Sequence, residues 1–474
     1  MRRTKIVCTL GPASASDATL RAMIRAGMDV ARLNFSHGTH ESHAALIAMV
    51  RRVAAEEGRV IAILQDLQGP RIRVGEMADG GATLISGSRF ILTTEEVMGN
   101  GERATIHGAP IDQDVKPGDR ILLDDGNLEL KVVRAAAGEV ECTVLLGGTL
   151  KSHKGVNVPG RTLSVPTITD KDREDLAFGI EQKVDYVAMS FVRSGEDIRQ
   201  LRGLMAERGA EIPIMSKIEK HEAITHFDEI LEASDAIMVA RGDLGIEIAA
   251  EEVPLRQKMI IAKCNAAGKP VVTATQMLDS MIRNPRPTRA EVNDVANAIL
   301  DGSDATMLSG ETAAGAYPLE AVATMARIAE TTEKALPYEE LMRKTAAGRM
   351  ASVTDAIGHA TCEMAFELGA KAIIASTESG YTARMIARHR PPSRIIAATP
   401  SQATLRQLAL VWGVQPHLTP RHHNTDEMIR QVVEMALREK EVTEGDLVVI
   451  TAGLPLPARG RTNLLKLHVV GEPV

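Results

Sequence analysis

Residues 215–219 read Met-Ser-Lys-Ile-Glu and residues 238–243 read Met-Val-Ala-Arg-Gly-Asp, so each apolar run ends in charged side chains. Carboxylates hold hard divalent metals through oxygen, and a lysine supplies positive charge beside a transferring phosphoryl group. A lysine, a glutamate and an aspartate at the ends of two nearby apolar runs therefore indicate a site that handles phosphate beside a metal.

Similar short runs rich in Val and Ile recur along the first two thirds of the chain, with amphipathic stretches between them. They lack polar alternation, as do parallel strands buried on both faces. Eight alternations predict an α/β fold, a (β/α)8 TIM barrel with its active site at the carboxyl ends of the strands. An open doubly wound sheet has the same periodicity and stays an alternative. The predicted strands are residues 5–10, 30–35, 60–65, 186–191, 213–218, 236–241, 270–275 and 304–308.

Two regions depart from this rhythm. Residues 70–166 contain short β-like pieces and hairpin turns such as Asn100-Gly101, which predict an inserted small β-barrel domain that closes over the site as a lid. After residue 340, helix and strand patterns restart and predict a C-terminal open α/β regulatory domain. The predicted division is 1–69 and 167–340 for the catalytic barrel, 70–166 for the lid and 341–474 for the C-terminal domain.

Composition excludes several function classes. The 474 residues are 44% apolar and 25% charged, as in a globular protein with about two to four domains. A net charge of −7 and 2% aromatic residues argue against a nucleic-acid partner. No apolar run reaches the ~20 residues of a membrane helix, so we expect no membrane partner. The four scattered cysteines predict buried thiols in a reducing cytoplasm.

Polar side chains gather where the predicted strands end. In a barrel these ends meet at one rim, so the side chains would converge on one site. Taken singly, Ser36, Ser309 or Thr312 is more simply a helix N-cap. Taken together, the cations, carboxylates and hydroxyls predict a site for phosphate and metal. They lie in residues 32–37, 66–73, 217–219, 241–243, 273–277 and 309–312.

The motif Ile-Met-Val-Ala-Arg-Gly-Asp-Leu-Gly at residues 237–245 is long and specific. With residues 4–14, 31–38, 216–219, 274–281 and 307–312, in the same order, it resembles the pyruvate kinase family. The resemblance spans the whole chain, including the inserted β domain and the C-terminal domain. It implies transfer of the phosphoryl group of phosphoenolpyruvate to ADP, giving pyruvate and ATP in the last step of glycolysis, and a homotetramer.

The resemblance also implies roles for the charged residues. Glu219 and Asp243 would hold Mg²⁺, with Mn²⁺ as a second choice. Lys217 would stabilise the phosphoryl group in flight as a point charge. Arg32 and Arg73 would grip the phosphates, with Arg73 reaching over from the start of the lid.

The remaining site positions follow from the same resemblance. The backbone at Gly242 and Asp243 would approach the substrate carboxylate, because glycine brings no Cβ. Thr275 would bind that carboxylate and relay the proton to the enolate carbon, with its hydroxyl or a water as the final donor. The sequence leaves the choice between ADP and GDP open. The nucleotide-binding positions are matched by Asn34, Phe35, Ser36, His37, Arg73 and Lys154.

One departure concerns potassium. Asn34, Ser36 and Asp66 match three of the four potassium ligands of many family members, but Leu67 stands where those enzymes have a threonine. Arg71 stands where they carry a glutamate, and the potassium-independent branch has a lysine there. We expect the Arg71 guanidinium to replace the monovalent ion, so that potassium is not required. The alternative is a surface ion pair at the lid hinge.

Residues 376–382 follow a strand and precede a helix, where hydroxyls and backbone amides form a phosphate cradle. This segment resembles the family's effector pocket, with residues 454–462 as the partner loop. An acid at Glu378 would repel a second phosphate, which favours a sugar monophosphate or AMP as the effector. An ordinary helix N-cap beside a basic loop is the alternative. The predicted effector residues are Thr377, Ser379, Thr382, Arg459 and Arg461.

Two other functions compete with a pyruvate kinase. A class II aldolase relative would explain Glu219 and Asp243, but not Lys217 or the inserted lid. A catalytically inactive paralogue would instead sense phospho-metabolites through the C-terminal domain. Every expected catalytic position is filled, which argues against that alternative.

Overall fold

The computed structural model describes residues 2–347, 352–422, 424–456 and 460–473. Eight parallel strands close into a barrel, in which the first strand pairs with both the second and the eighth. The (β/α)8 barrel is therefore confirmed, and the open doubly wound sheet is wrong. The strands are Lys5–Thr9, Val30–Asn34, Ala62–Asp66, Tyr186–Met189, Ile214–Ile218, Ala236–Ala240, Val271–Ala274 and Ala305–Leu308.

Helices surround the barrel, and three of them begin at a threonine that forms a reciprocal cap. The side chains of Thr39, Thr169 and Thr288 each accept a hydrogen bond from the backbone amide of the residue three positions later. The side chain of that later residue in turn accepts a hydrogen bond from the threonine's own backbone amide. These caps fix where the chain leaves the rim loops. The helices are Asp17–Ala26, His40–Glu56, Asp170–Glu181, Gly195–Glu207, His221–Thr225, Phe227–Ala233, Arg241–Glu247, Val253–Ala267, Arg289–Leu300, Gly310–Ala313 and Pro318–Lys334, with single 3₁₀ turns at Ala250–Glu252 and Asp279–Ile282.

The insertion between the third and fourth barrel strands is all-β with its own apolar core. A bridge between Arg73 and Gly155 joins the two outer strands of its seven-stranded sheet, so the sheet curls into a small barrel. The strands of this sheet are Arg73–Val74, Arg89–Thr93, Arg103–His107, Arg120–Leu123, Leu128–Ala136, Glu139–Leu146 and Val156–Asn157. Ala82–Leu84 and Gly148–Leu150 form a separate two-stranded sheet, and short helical turns lie at Ala78–Gly80 and Ile111–Asp114.

The C-terminal part is an open sheet of four parallel strands and one antiparallel edge strand. A helix that begins at Tyr338 crosses the predicted boundary at residues 340/341, and the predicted domain division stays a prediction. The strands are Ala372–Ser376, Arg394–Thr399, Val414–Leu418, Leu447–Ala452 and Leu464–Val469. The helices are Tyr338–Ala347, Val353–Glu367, Tyr381–Ala387, Gln402–Gln407, Leu408–Leu410 and Thr425–Arg438.

Two further features of the fold concern the cysteines and the apolar character of the helices. All four cysteines are buried and free. In the part of the chain that the structure describes, no helix is both long enough and apolar enough to cross a membrane.

A buried arginine joins the C-terminal domain to the base of the barrel. Arg390 lies 3.1 Å from the Asp304 carboxylate and donates to Asn265 Oδ1 at 2.7 Å and to the Gly302 carbonyl at 2.6 Å. Its guanidinium lies 4.8 Å from the centre of the Trp412 ring. Arg390 therefore links the C-terminal domain to the base of the barrel through one ion pair and two hydrogen bonds.

We predict that Arg390→Ala lowers the free energy of unfolding by about 3 to 5 kcal/mol, because it leaves Asp304 buried without its countercharge. Urea unfolding followed by the fluorescence of Trp412, the single tryptophan, measures this loss. Arg394→Ala is the matched control, since it removes a half-exposed pair with Glu441 and should cost about 1 kcal/mol or less. Equal losses in the two variants would contradict the prediction.

Candidate active site

A cavity of about 610 Å³ lies at the carboxyl ends of the barrel strands, under the lid. Both domains line it, so the lid forms the roof and the strand ends form the floor. Ten of the predicted site residues line this cavity: Arg32, Asn34, Ser36, His37, Arg71, Arg73, Lys154, Lys217, Glu219 and Asp243.

Lys217 is the centre of the charges on the floor. Its Nζ lies 2.9 Å from Glu219 Oε1 and 3.3 Å from Asp66 Oδ1, and it donates to Ser190 Oγ at 2.7 Å. Burial opposes the charge on the lysine, but Asp66 and Glu219 outweigh it and raise the pKa of Lys217 above its usual value. Lys217 is therefore a fixed cation at neutral pH.

Asp66 joins this lysine to a second cation. Its Oδ2 accepts a hydrogen bond of 2.6 Å from Arg32 Nε, and Arg32 also donates to Thr9 Oγ1 at 2.8 Å. Burial alone would raise the pKa of Asp66, but Lys217 and Arg32 lower it below the usual value. The carboxylate therefore stays ionised and orients both cations toward the cavity.

Glu219 is buried and is positioned from two sides. Its Oε1 faces Lys217, and its Oε2 accepts a hydrogen bond of 2.7 Å from the Phe191 amide. Burial, together with the negative charge of Asp243, raises the pKa of Glu219 despite the nearby lysine. The two carboxylates therefore lie close enough to repel each other, and a bound cation would relieve that repulsion.

The protein offers only a small carboxylate set for such a cation. Within residues 2–347, 352–422, 424–456 and 460–473, no group of three or more His, Cys, Asp or Glu side chains is arranged to hold a metal. Mg²⁺ is commonly bound through one or two carboxylates, with substrate oxygens and water completing the shell. Glu219 and Asp243 match that pattern of donors.

Gly242 and Thr275 lie together beside this centre. The Gly242 amide donates to Thr275 Oγ1 at 2.8 Å, and the hydroxyl donates to the Ala274 carbonyl at 2.6 Å. A Cβ at Gly242 would meet the threonine hydroxyl at 3.5 Å. The Gly242 amide and the Thr275 hydroxyl therefore form one polar pair, and their roles toward the substrate carboxylate stay predictions.

Of the four consecutive residues predicted to bind nucleotide, three line the cavity and Phe35 does not. The Phe35 ring is buried and stacks on His43 at 4.1 Å. Asn34 Oδ1 accepts a hydrogen bond from the Ser36 amide, which directs the loop toward the cavity. Burial and the charges of Arg71 and Arg73 lower the pKa of His37, so its ring is neutral at pH 7.

The lid contributes cations. Arg71 and Arg73 border the cavity at the start of the lid, and Lys154 lies 2.7 Å from the lid residue Asp124. Burial and the neighbouring Arg73 lower the pKa of Arg71 below its usual value, and the charges of Asp243, Glu219 and Asp66 offset this only in part. Arg71 is therefore within electrostatic reach of the acidic floor.

Sequence reasoning missed Ser190, which follows the fourth strand and bonds to Lys217 and to the Leu67 carbonyl. Its only signal is a single hydroxyl after an apolar run. His43 and Lys171 were also missed; they hold the backbone of the 34–37 loop through the carbonyls of His37 and Phe35. Both lie on helices outside the motif, where the pattern gives no sign of this role.

The predicted effector segment lies in the C-terminal domain and does not line this cavity. Thr382 Oγ1 is 2.9 Å from Thr462 Oγ1, so the two predicted loops meet. Glu378 pairs with Arg421 at 3.0 Å, and Ser379 borders a separate cavity of about 570 Å³. Thr377 is buried, Arg461 is exposed, and Arg459 lies outside the described residues.

Comparisons with known proteins agree with this architecture. Residues 1–322 match the family model "Pyruvate kinase, barrel domain", and residues 355–468 match "Pyruvate kinase, alpha/beta domain". The chain is 52% identical to the pyruvate kinase of Geobacillus stearothermophilus over 99% of this chain and 81% of that protein. It is 50% identical to the pyruvate kinase of Staphylococcus aureus strain MRSA252, over 100% of this chain and 81% of that protein.

The crystal structure of a pyruvate kinase from Cryptosporidium parvum superposes with a TM-score of 0.94 at 39% identity, covering 99% of this chain and 96% of the other. Sequence and fold thus agree along the whole length of the chain. The chain therefore belongs to the pyruvate kinase family of phosphotransferases.

Proposed function

We propose that this chain transfers the phosphoryl group of phosphoenolpyruvate to ADP with Mg²⁺, and that it does so without potassium. The observation that carries the proposal is the buried lysine between two carboxylates at the floor of a lid-covered cavity. A fixed cation opposite lid arginines is suited to an anionic group that moves between two oxygens.

Glu219 and Asp243 are the residues that would hold Mg²⁺, or Mn²⁺ in its place. Their oxygens are hard donors, and burial together with the negative charge of Asp243 raises the pKa of Glu219, so a cation bound between the two carboxylates would be favoured. When bound, the metal supplies positive charge to the substrate oxygens. The glutamate remains oriented by the Phe191 amide throughout.

The cations of the chain bind and stabilise phosphate. Lys217 faces the phosphoryl group during transfer, and its charge is secured by Asp66 and Glu219. Arg32 is held at a fixed angle by Asp66 and grips the substrate phosphate from the second strand. Arg73 approaches the phosphates from the lid, so lid closure would complete the set.

Gly242 and Thr275 handle the other end of the substrate. The substrate carboxylate would accept the hydrogen bond that the Gly242 amide now gives to Thr275 Oγ1. The freed hydroxyl would then bind the same carboxylate and relay a proton to the enolate carbon, directly or through water.

Nucleotide phosphates would lie along Asn34, Ser36 and His37, with Lys154 above them. Phe35 would support that loop from the core instead of touching the nucleotide.

We predict that Lys217→Met lowers kcat by about 10² to 10³-fold while the protein stays folded, because one preorganised electrostatic donor is lost. Coupled pyruvate formation from phosphoenolpyruvate, ADP and Mg²⁺ measures this. Lys220→Met is the matched control, since Lys220 lines the same cavity but pairs with Glu247. Undiminished turnover in Lys217→Met would contradict the assigned role. A wild-type chain with no turnover would favour the inactive phospho-metabolite sensor.

The potassium prediction rests on Arg71. Its guanidinium lies within the field of Asp66, Glu219 and Asp243, where a monovalent cation would otherwise balance charge. We predict equal kcat in sodium-only and potassium buffers of matched ionic strength. If turnover rises manyfold when potassium is added, the proposed activity stands, but the proposal that Arg71 replaces potassium is refuted.

A phosphate effector in the C-terminal domain is also part of the proposal. Thr377, Ser379 and Thr382 lie at a helix start beside the loop that carries Arg461. The acid at Glu378 disfavours a second phosphate, so a sugar monophosphate or AMP is the proposed effector. We predict that one of these compounds lowers the half-saturating concentration of phosphoenolpyruvate, and that Thr382→Ala abolishes the shift. No shift with any phosphate compound would refute the site.

We further propose a cytoplasmic homotetramer. Four buried, unpaired thiols fit a reducing compartment. Large exposed apolar side chains on or directly after barrel and C-terminal helices, among them Leu255, Val353 and Leu368, fit subunit contacts.

A further inference from the structure

The turn after the seventh barrel strand has an unusual backbone. Thr275 has φ of 69° and Gln276 has φ of 53°, so two consecutive non-glycine residues are left-handed. A β-branched residue in this region is an outlier, and such a conformation persists only where the surroundings impose it. Because Thr275 carries the hydroxyl that meets Gly242, the turn determines where that hydroxyl points.

Arg241 supplies much of that constraint. Its NH2 donates to the Thr275 carbonyl at 2.8 Å, and its Nε donates to the Ala274 carbonyl at 3.3 Å. The same guanidinium makes a bidentate pair with Asp294, with both distances 2.7 Å. A planar fork held by a carboxylate has little freedom, so the carbonyls that it binds are fixed as well.

Glu311 holds the other side of the turn. It is 2% exposed, accepts a hydrogen bond from the Leu278 amide at 3.0 Å, and accepts another from the Ser309 amide at 2.7 Å. The turn is thus bound at its carbonyl start by Arg241 and at its amide end by Glu311. Arg241 also directly precedes Gly242, whose amide meets the Thr275 hydroxyl, so one residue anchors both members of that pair.

We propose that Arg241, held by Asp294, is a positioning residue that keeps Thr275 and Gln276 left-handed and so aims the Thr275 hydroxyl at the substrate carboxylate. This inference rests on the proposed function, since it assigns Thr275 a part in that reaction. A purely structural ion pair would affect the stability of the fold without favouring one substrate or one step.

The test uses the full-length chain with phosphoenolpyruvate, ADP and Mg²⁺. Arg241→Lys keeps the charge, but a single ammonium cannot serve both Asp294 and the Thr275 carbonyl in the same geometry. We expect kcat to fall about 10²-fold, as for a small misplacement of a reacting group, with the KM for ADP changed by less than about threefold. Asp294→Asn weakens the ion pair that holds Arg241, so it should also lower kcat with little change in the KM for ADP, but by a smaller factor.

Gln276→Gly separates positioning from general stability. The Gln276 side chain is exposed, and glycine adopts a positive φ without steric cost. In the wild-type background this change should leave kcat within about threefold, and in Arg241→Lys it should recover about tenfold of the loss. Recovery by a change that adds no contact would show that the arginine acts through the backbone of the turn.

The outcomes are distinct. If wild type forms no pyruvate, the proposed function fails before the variants are compared. If wild type is active and Arg241→Lys keeps kcat within about threefold, the inference alone is wrong. It is also wrong if Gln276→Gly gives no recovery, because Arg241 is then only a structural ion pair. If Arg241→Lys does not fold, Asp294→Asn with and without Gln276→Gly decides by the same criteria.

Discussion

The charge balance around Lys217 is the constraint on which the site depends. A buried ammonium costs several kcal/mol unless partners surround it, and here Asp66, Glu219 and Ser190 all lie within 3.3 Å. Those partners come from three different strand ends, so they surround the buried ammonium only when the barrel is closed. The same partners keep its pKa high, which ties the fold directly to the electrostatics of phosphoryl transfer.

The pairing register of the barrel strands places the charged side chains of the site at the same height along the barrel axis. Asn34 on the second strand pairs with Asp66 on the third, and Ile218 on the fifth pairs with Val239 on the sixth. Residues just beyond these pairs therefore emerge at the same rim, where the lid adds its arginines. The cost of collecting so many charges is offset by pairing opposite signs, and the proposed metal cation would relieve the repulsion that remains between Glu219 and Asp243.

Much of this could be predicted from the sequence. Eight Val- and Ile-rich runs predict the barrel strands, and polar residues after them predict the rim, because parallel strands align their ends. Phe35 shows the limit: a linear motif does not say that one of four consecutive residues turns into the core to stack on His43. The contacts of Arg241 with Asp294 and of Glu378 with Arg421 join residues more than forty positions apart, so no local pattern indicates them.

The central claim is that Glu219, oriented beside Lys217, holds the divalent metal of a phosphoryl-transfer site. Binding of Mn²⁺ measured by electron paramagnetic resonance tests it most directly, with wild type, Glu219→Gln and Glu222→Gln compared. Glu222 lines the same cavity but bonds to Thr162 of the lid, which makes it a matched carboxylate control. The account predicts that Glu219→Gln weakens Mn²⁺ binding about tenfold or more while Glu222→Gln leaves it near wild type. Equal affinity in wild type and Glu219→Gln would contradict it.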